Sequence, residues 1–133
     1  MLRVVIHIPS DPTALECVLE GVTALNFAML TNARQLGGDC PSLYESGVRY
    51  QRERPGRERW LTIPELYSRG VGDCEDLSCA RAAELRLTGE PARVVVETTP
   101  RGSYHAKVLR SDGTVEDPSL VLLERDGGNP EEV

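Results

Sequence analysis

The chain of 133 residues is long enough for one domain with a sizeable core and too short for two. Charged residues at 27% and hydrophobic residues at 40% are typical of a folded soluble protein, and the net charge of −6 argues against nucleic acid as the main partner. No apolar run approaches the length of a membrane span, and no cleavage site for a secretory signal follows the first residues, so we expect neither a membrane partner nor a leader.

The first predicted elements are a strand and a long helix. Residues 2–8 alternate in the period of a strand, and Asp11 with Pro12 is typical of the start of a helix. Apolar residues then recur at helical spacing up to Gly37, which predicts a helix within residues 1–38 whose stripe packs on the core or on a partner helix. The stripe comprises Leu15, Val18, Leu19, Val22, Leu25, Met29, Ala33 and Leu36.

Residues 49–59 form the only basic segment of this acidic chain. Five arginines and two glutamates surround Pro55 and Gly56 there. The segment is either a solvated loop or a contact for an acidic substrate or partner. Residues 63–67 follow Trp60 and predict a short helical turn.

The sequence at residues 70–85 predicts a glycine turn that leads directly into a central, largely buried helix. Asp73 is a suitable N-cap, which places Cys74 at the first helical position, and Gly89 ends the helix. A thiol at a helix N-terminus lies near the positive end of the helix dipole, so its anion is favoured.

The four cysteines show no metal-type spacing. Cys17, Cys40, Cys74 and Cys79 include no CxxC pair, and Cys74 and Cys79 point in different directions on one helix. We therefore expect reduced thiols in a cytosol-like compartment and no metal held by cysteine.

A nucleophilic thiol needs a base, and the base needs an orienting group. Residues 92–98, 103–110 and 114–117 predict three strands, which carry His105 and Asp117. A three-residue loop at residues 111–113 places His105 diagonal to Asp117 on one face, whereas a two-residue turn places them on opposite faces. In the first register Lys107 lies opposite Asp117 and is an alternative partner for it.

The charges around Cys74 act in opposite directions. A carboxylate about 7 Å away disfavours the thiolate by roughly 2 kcal/mol at an effective dielectric near 20, and an imidazolium about 4 Å away favours it by roughly 4 kcal/mol. Asp73, Glu75 and Asp76 must therefore turn away from the sulfur, cap the helix or hold a cation.

Four short motifs together resemble the transglutaminase-like superfamily of papain-like cysteine enzymes. They lie at residues 72–78, 87–92, 105–106 and 117–118, and residues 60–65 are similar as well, so the resemblance covers roughly residues 43–120. The Asp-Cys-Glu-Asp core is most similar to the bacterial transglutaminase-like cysteine proteinases. Lys107 departs from the pattern, because an apolar or aromatic residue often stands there.

The resemblance implies an α+β fold with a papain-like core, in which a catalytic cysteine on a central helix packs against an antiparallel sheet. It implies a triad of Cys74, His105 and Asp117 that attacks an amide carbonyl of a protein or peptide substrate. Trp60 and Gln51 are the candidate side-chain donors to the oxyanion. In some of these proteinases acids beside the cysteine help bind calcium, which corresponds to Asp73 and Glu75 here; otherwise no cofactor is expected.

The sequence predicts one domain at residues 1–123, with its catalytic core at 43–120 and a loose acidic tail at 124–133. Our first hypothesis is a cysteine-dependent amide hydrolase or acyl transferase of the cytoplasm. The alternative is a structural or assembly component of a phage particle that retains the triad, because small members of this kind resemble phage and prophage proteins. A third hypothesis is a calcium-dependent binding module.

Overall fold

A computed structural model describes residues 11–52 and 59–133 and shows a mixture of helices and strands, as predicted at that level. The helices are α1 (Pro12–Gln35), α2 (Ile63–Arg69), α3 (Cys74–Leu87) and α4 (Pro118–Arg125). Strands β1 (Arg49–Tyr50) and β2 (Val71–Gly72) pair in parallel, and β3 (Arg93–Thr98), β4 (Tyr104–Leu109) and β5 (Val115–Glu116) form an antiparallel sheet. Single 3-10 turns occur at Leu43–Glu45 and Pro130–Glu132. The predicted strand at 2–8 and residues 53–58 of the basic segment lie outside the described residues.

Helix α1 begins where predicted but buries a different face. Asp11 caps it by accepting a hydrogen bond from the Thr13 N–H at 3.0 Å. The buried positions are Leu15, Leu19, Thr23, Asn26 and Leu30. The predicted stripe was therefore wrong in its second half, where Leu25 is 48% exposed and Leu36 is 79% exposed.

Two buried polar side chains explain that difference. The Thr23 hydroxyl donates to the Leu19 carbonyl oxygen at 2.8 Å, and the Asn26 side-chain oxygen accepts from the Ile63 N–H at 2.9 Å. A hydrogen-bonded polar group can be buried at low cost, so these positions replaced apolar ones on the core face. A pattern of apolar residues alone cannot reveal this.

Helix α1 is also long and apolar enough to cross a membrane by length and composition. The expectation that no segment approaches that length was therefore wrong. Core helices of soluble proteins meet the same criterion, and α1 packs against α3 and β3.

Helix α3 lies at the centre of the molecule and separates two apolar clusters. Leu77, Ala80 and Ala83 face the cluster that includes α2 and α4, and Cys79 and Ala82 face the cluster that includes α1 and the sheet. The small side chains let neighbouring elements approach on both sides, as predicted. Because α3 contacts β4 and β3 directly, its first turn lies close to the antiparallel sheet.

The C-terminal residues differ from the predicted loose tail. Helix α4 extends across the predicted boundary between residues 123 and 124. Leu122 and Leu123 of α4 are buried in the core. They anchor the helix, because residues 124–133 have no such buried apolar side chains. Its N-cap is Asp117, whose side chain accepts from the Leu120 N–H at 3.3 Å. The signal that predicts this helix is Asp117 followed by Pro118, the same capping pattern that begins α1.

Candidate active site

The first turn of α3 is fixed by a reciprocal capping box. Asp73 accepts from the Asp76 N–H at 2.9 Å, and Asp76 accepts from the Asp73 N–H at 3.3 Å. Asp76 also accepts from the Leu61 N–H at 2.8 Å, which ties the preceding segment to the helix. Cys74 is therefore held at the first helical position, as predicted, and its own N–H lies outside the capping box.

His105 and Asp117 lie in contact at the end of the hairpin between β4 and β5. His105 Nε2 is 2.8 Å from Asp117 Oδ2. The three-residue loop is present, because the Arg110 N–H donates to the Thr114 carbonyl and Gly113 has a φ of +87°. The predicted register is thus confirmed. The alternative partner, Lys107, forms an ion pair with Glu97 at 2.6 Å instead.

The Ala106 backbone joins β4 to the first turns of α3. The buried Ser78 hydroxyl donates to the Ala106 carbonyl oxygen at 3.1 Å. A hydrogen bond from the Ala106 backbone reaches the Cys74 thiol. Ala106 follows His105 directly, so these contacts hold the β4 segment that carries His105 beside the first turns of α3. No sequence pattern indicates this hydrogen bond of Ser78, because the bond depends on where β4 lies in the fold.

Glu116, the residue before Asp117, is held by a network of charges. It accepts from Arg81 Nε at 2.6 Å and from Arg110 Nη1 at 2.8 Å, and the Tyr44 hydroxyl donates to it. Burial alone would raise the pKa of Glu116. The hydrogen bonds and charges of these donors lower the pKa by more than burial raises it, so the net shift is downward. The network holds β5 against α3, which keeps Asp117 beside His105.

Cys74, His105 and Asp117 all line one cleft of about 830 Å³. Tyr50 and Arg52 from the region of β1 complete much of its wall, together with residues 97–101 from the end of β3 and the β3–β4 connection. Pro130, Glu131 and Val133 of the C-terminal segment line it as well, so the residues predicted to form a loose tail reach the site.

The pKa of the Cys74 thiol is raised, to about 12, which is opposite to the expected direction. Burial is the largest cause, and the carboxylates of Asp73, Glu75 and Asp117 raise it further. The hydrogen bond from Ala106 acts in the other direction without prevailing. The resting thiol is therefore neutral, and a base must remove its proton during attack.

The structure shows other contacts for the two candidate oxyanion donors, Trp60 and Gln51. The indole N–H of Trp60 is its only donor, and it is given to the Glu75 carboxylate. Gln51 is exposed and its backbone N–H donates to the Gly72 carbonyl at 2.9 Å. Both residues lie outside the lining of the cleft.

Asp73 and Glu75, the candidate calcium ligands, both take part in other contacts. Asp73 caps α3, and Glu75 is 7% exposed and binds the Trp60 indole. Calcium requires six to eight oxygen ligands, and no group of three or more metal-ligating side chains assembles within residues 11–52 and 59–133.

The chain was compared with family models, with curated proteins and with solved structures. No family model matches the chain, and the searches of curated proteins and of solved structures found no match either.

Proposed function

We propose that this protein is a cysteine-dependent amide hydrolase or acyl transferase with a papain-like, transglutaminase-like core. The observation that carries the proposal is the 2.8 Å contact between His105 and Asp117 in the cleft that Cys74 lines. This histidine and this acid are paired as base and orienting group, and the paired imidazole leaves its second nitrogen for the thiol.

In the proposed reaction His105 removes the proton of Cys74 as the sulfur attacks an amide carbonyl of a protein or peptide. The carbonyl electron pair moves to oxygen, and collapse of this intermediate expels the amine, which takes the proton from His105. Water then attacks the thioester while His105 takes its proton, and collapse releases the carboxylic acid and the Cys74 sulfur, which recovers the proton from His105. Because the thiol starts neutral, general-base catalysis contributes more here than in an enzyme with a preformed thiolate.

The test is acetylation by p-nitrophenyl acetate with peptide mapping of the modified cysteine. We expect acetyl transfer to Cys74, a loss of about 100-fold in rate for His105→Ala, and a loss for Asp117→Asn. Asparagine preserves the N-cap of α4 while it removes the carboxylate, so Asp117→Asn separates orientation from folding. Cys17→Ser, which removes an exposed thiol of α1, is the matched control with an unchanged rate at Cys74.

The opposite labelling pattern contradicts the proposal. If acetyl groups are found on the exposed Cys17 and Cys40 while Cys74 remains unmodified, the site has no activated nucleophile. Equal rates in the parent and in His105→Ala contradict it as well.

A second candidate is a structural or assembly component of a phage particle, in an infected bacterium or in the virion. The observation that favours it is the exposure of apolar side chains on the second half of α1 and at its C-cap, namely Leu25, Phe27, Met29 and Leu36. The stoichiometry of the protein in its native assembly tests this role. Many ordered copies per particle support it, and purification as a separate soluble species contradicts it.

A further inference from the structure

Thioester formation at Cys74 places negative charge on the carbonyl oxygen of the substrate, and this charge needs positioned donors. One donor is available in the backbone: the Cys74 N–H lies at the first position of α3, where no helical carbonyl can accept it. A second donor is expected from a side chain. Trp60 donates its indole N–H to Glu75, and neither Trp60 nor Gln51 lines the cleft, so a side chain that does line it is the better candidate.

Tyr50 lies on the strand next to the nucleophile. In the parallel pairing of β1 with β2, Tyr50 is in register with Gly72, two residues before Cys74. Its half-buried ring packs against the apolar cluster that contains Leu43 and Leu77. The side chain lines the same cleft as Cys74 and His105. A fixed ring of this kind holds its hydroxyl in one place without loss of side-chain freedom at the moment of reaction.

The hydroxyl of Tyr50 differs from those of two other half-buried tyrosines, Tyr44 and Tyr67. The Tyr44 hydroxyl donates to Glu116, and the Tyr67 hydroxyl donates to the Pro41 carbonyl at 3.0 Å. No acceptor is found for the Tyr50 hydroxyl in the part of the chain that the structure describes. Its pKa is raised to about 12, first by burial and next by Cys74, so the hydroxyl keeps its proton and can donate it at neutral pH.

We propose that Tyr50 is a catalytic residue that donates a hydrogen bond to the substrate oxyanion, together with the backbone N–H of Cys74. This inference rests on the proposed acyl transfer at Cys74. As the sulfur bonds to the carbonyl carbon and its proton passes to His105, the carbonyl π electrons move to oxygen. The Tyr50 hydroxyl stabilises that oxygen and keeps its own proton. When the intermediate collapses, the electrons return and the leaving group departs.

Two reactions of Cys74 separate this role from a structural one. Acetylation by p-nitrophenyl acetate passes through an oxyanion, whereas alkylation by iodoacetamide displaces iodide at a saturated carbon and forms none. For Tyr50→Phe we expect acetylation of Cys74 to fall by about 100-fold, while alkylation at pH 9 changes less than about twofold, because phenylalanine retains the ring packing. Tyr67→Phe, which removes a hydroxyl remote from the cleft, is the control with both rates unchanged.

Each other outcome overturns the assignment. Acetylation and alkylation that fall together show that Tyr50 acts on the thiol or on folding, and an unchanged acetylation rate shows that its hydroxyl has no role. Tyr104 also lines the cleft, so a loss in Tyr104→Phe with none in Tyr50→Phe moves the donor to Tyr104. If the parent itself is not acetylated at Cys74, the proposed function fails and this inference with it; acetylation that persists in Tyr50→Phe removes the inference alone.

Discussion

Cys74 experiences two opposing influences that sequence and structure reveal separately. Its position at the start of α3 favours the thiolate. The sequence predicts this position, because Asp73 is a suitable N-cap and glycines precede it. Burial and three nearby carboxylates disfavour the anion, and they prevail. The depth of a side chain and the directions of its neighbours are tertiary properties, which explains why the expected sign of the pKa shift was wrong.

The pH dependence of alkylation at Cys74 follows from this pKa. With a pKa near 12, the thiolate fraction rises tenfold per pH unit throughout the range from pH 7 to 10. We expect the iodoacetamide rate to rise with that slope without a plateau, and to be at least about 10-fold below that of the exposed Cys17 at pH 7. Mass spectrometry of tryptic peptides after timed quenching measures both rates. A plateau at Cys74 between pH 5 and 8 that is lost in His105→Ala would show instead a preformed ion pair.

At the scale of single elements, the turn between α2 and α3 depends on the absence of a side chain at Gly72. A Cβ built there lies 2.4 Å from Leu66 Cδ1 and 3.2 Å from the Asp76 Cβ. Leu66 is fully buried, and Asp76 is fixed by the capping box, so neither can move freely. Gly72 therefore sets how closely α2 approaches the first turn of α3.

We expect Gly72→Ala to destabilise the fold by about 1–3 kcal/mol through overpacking. Gly21→Ala is the matched control, because Gly21 lies within α1 and nothing lies within 4 Å of its built Cβ. Alanine is favoured over glycine in a helix by about 0.8–1.0 kcal/mol, so this control should stabilise the protein. Urea denaturation followed by circular dichroism measures both variants. A neutral Gly72→Ala would show that α2 can shift away without cost.

Elements with local signals were predictable, and elements that depend on distant contacts were not. The capping residues Asp11 and Asp73 fixed the starts of α1 and α3, and the loop ending at Gly113 fixed the register that joins His105 to Asp117. By contrast, the two-residue strand that carries Tyr50 has no pattern of its own. It exists because the Arg49 and Gln51 N–H groups pair with the carbonyls of Gly70 and Gly72. Tyr50, the residue of this strand that lines the cleft, was therefore missed.

At the scale of the whole molecule, the two apolar clusters meet at α3, and the buried acid of its first turn couples charge to folding. Asp76 is 4% exposed, and its pKa is raised to about 8 by burial and by the charge of Asp73. The N–H donors of Leu61 and Asp73 oppose this shift without cancelling it. Glu116 shifts in the other direction, since its arginine partners lower its pKa. In a plot of the free energy of unfolding against pH, we therefore expect Asp76 to determine the slope above the maximum (the upper limb) and Glu116 the slope below it (the acidic limb).

The sign of each limb follows from which state binds more protons. Between about pH 4 and pH 8 the folded chain retains a proton on Asp76 that the unfolded chain has lost, so the free energy of unfolding falls as pH rises, by at most about 1.4 kcal/mol per pH unit. Below about pH 4.5 the unfolded chain protonates Glu116 first, so stability falls as pH decreases. We therefore expect maximum stability near pH 4–5, on the acidic side of the usual range.

Asp76→Asn tests which acid is responsible for the upper limb. The amide has no proton to lose, and its oxygen can still accept from the Leu61 N–H, so we expect a lower but flat free energy of unfolding between pH 5 and 8. Glu116→Gln is the companion variant, which should weaken the acidic limb and leave the upper limb unchanged. Urea denaturation at half-unit pH intervals measures all three proteins. An upper limb that persists in Asp76→Asn would assign the proton to another group and remove the buried acid from the energetics of the first turn of α3.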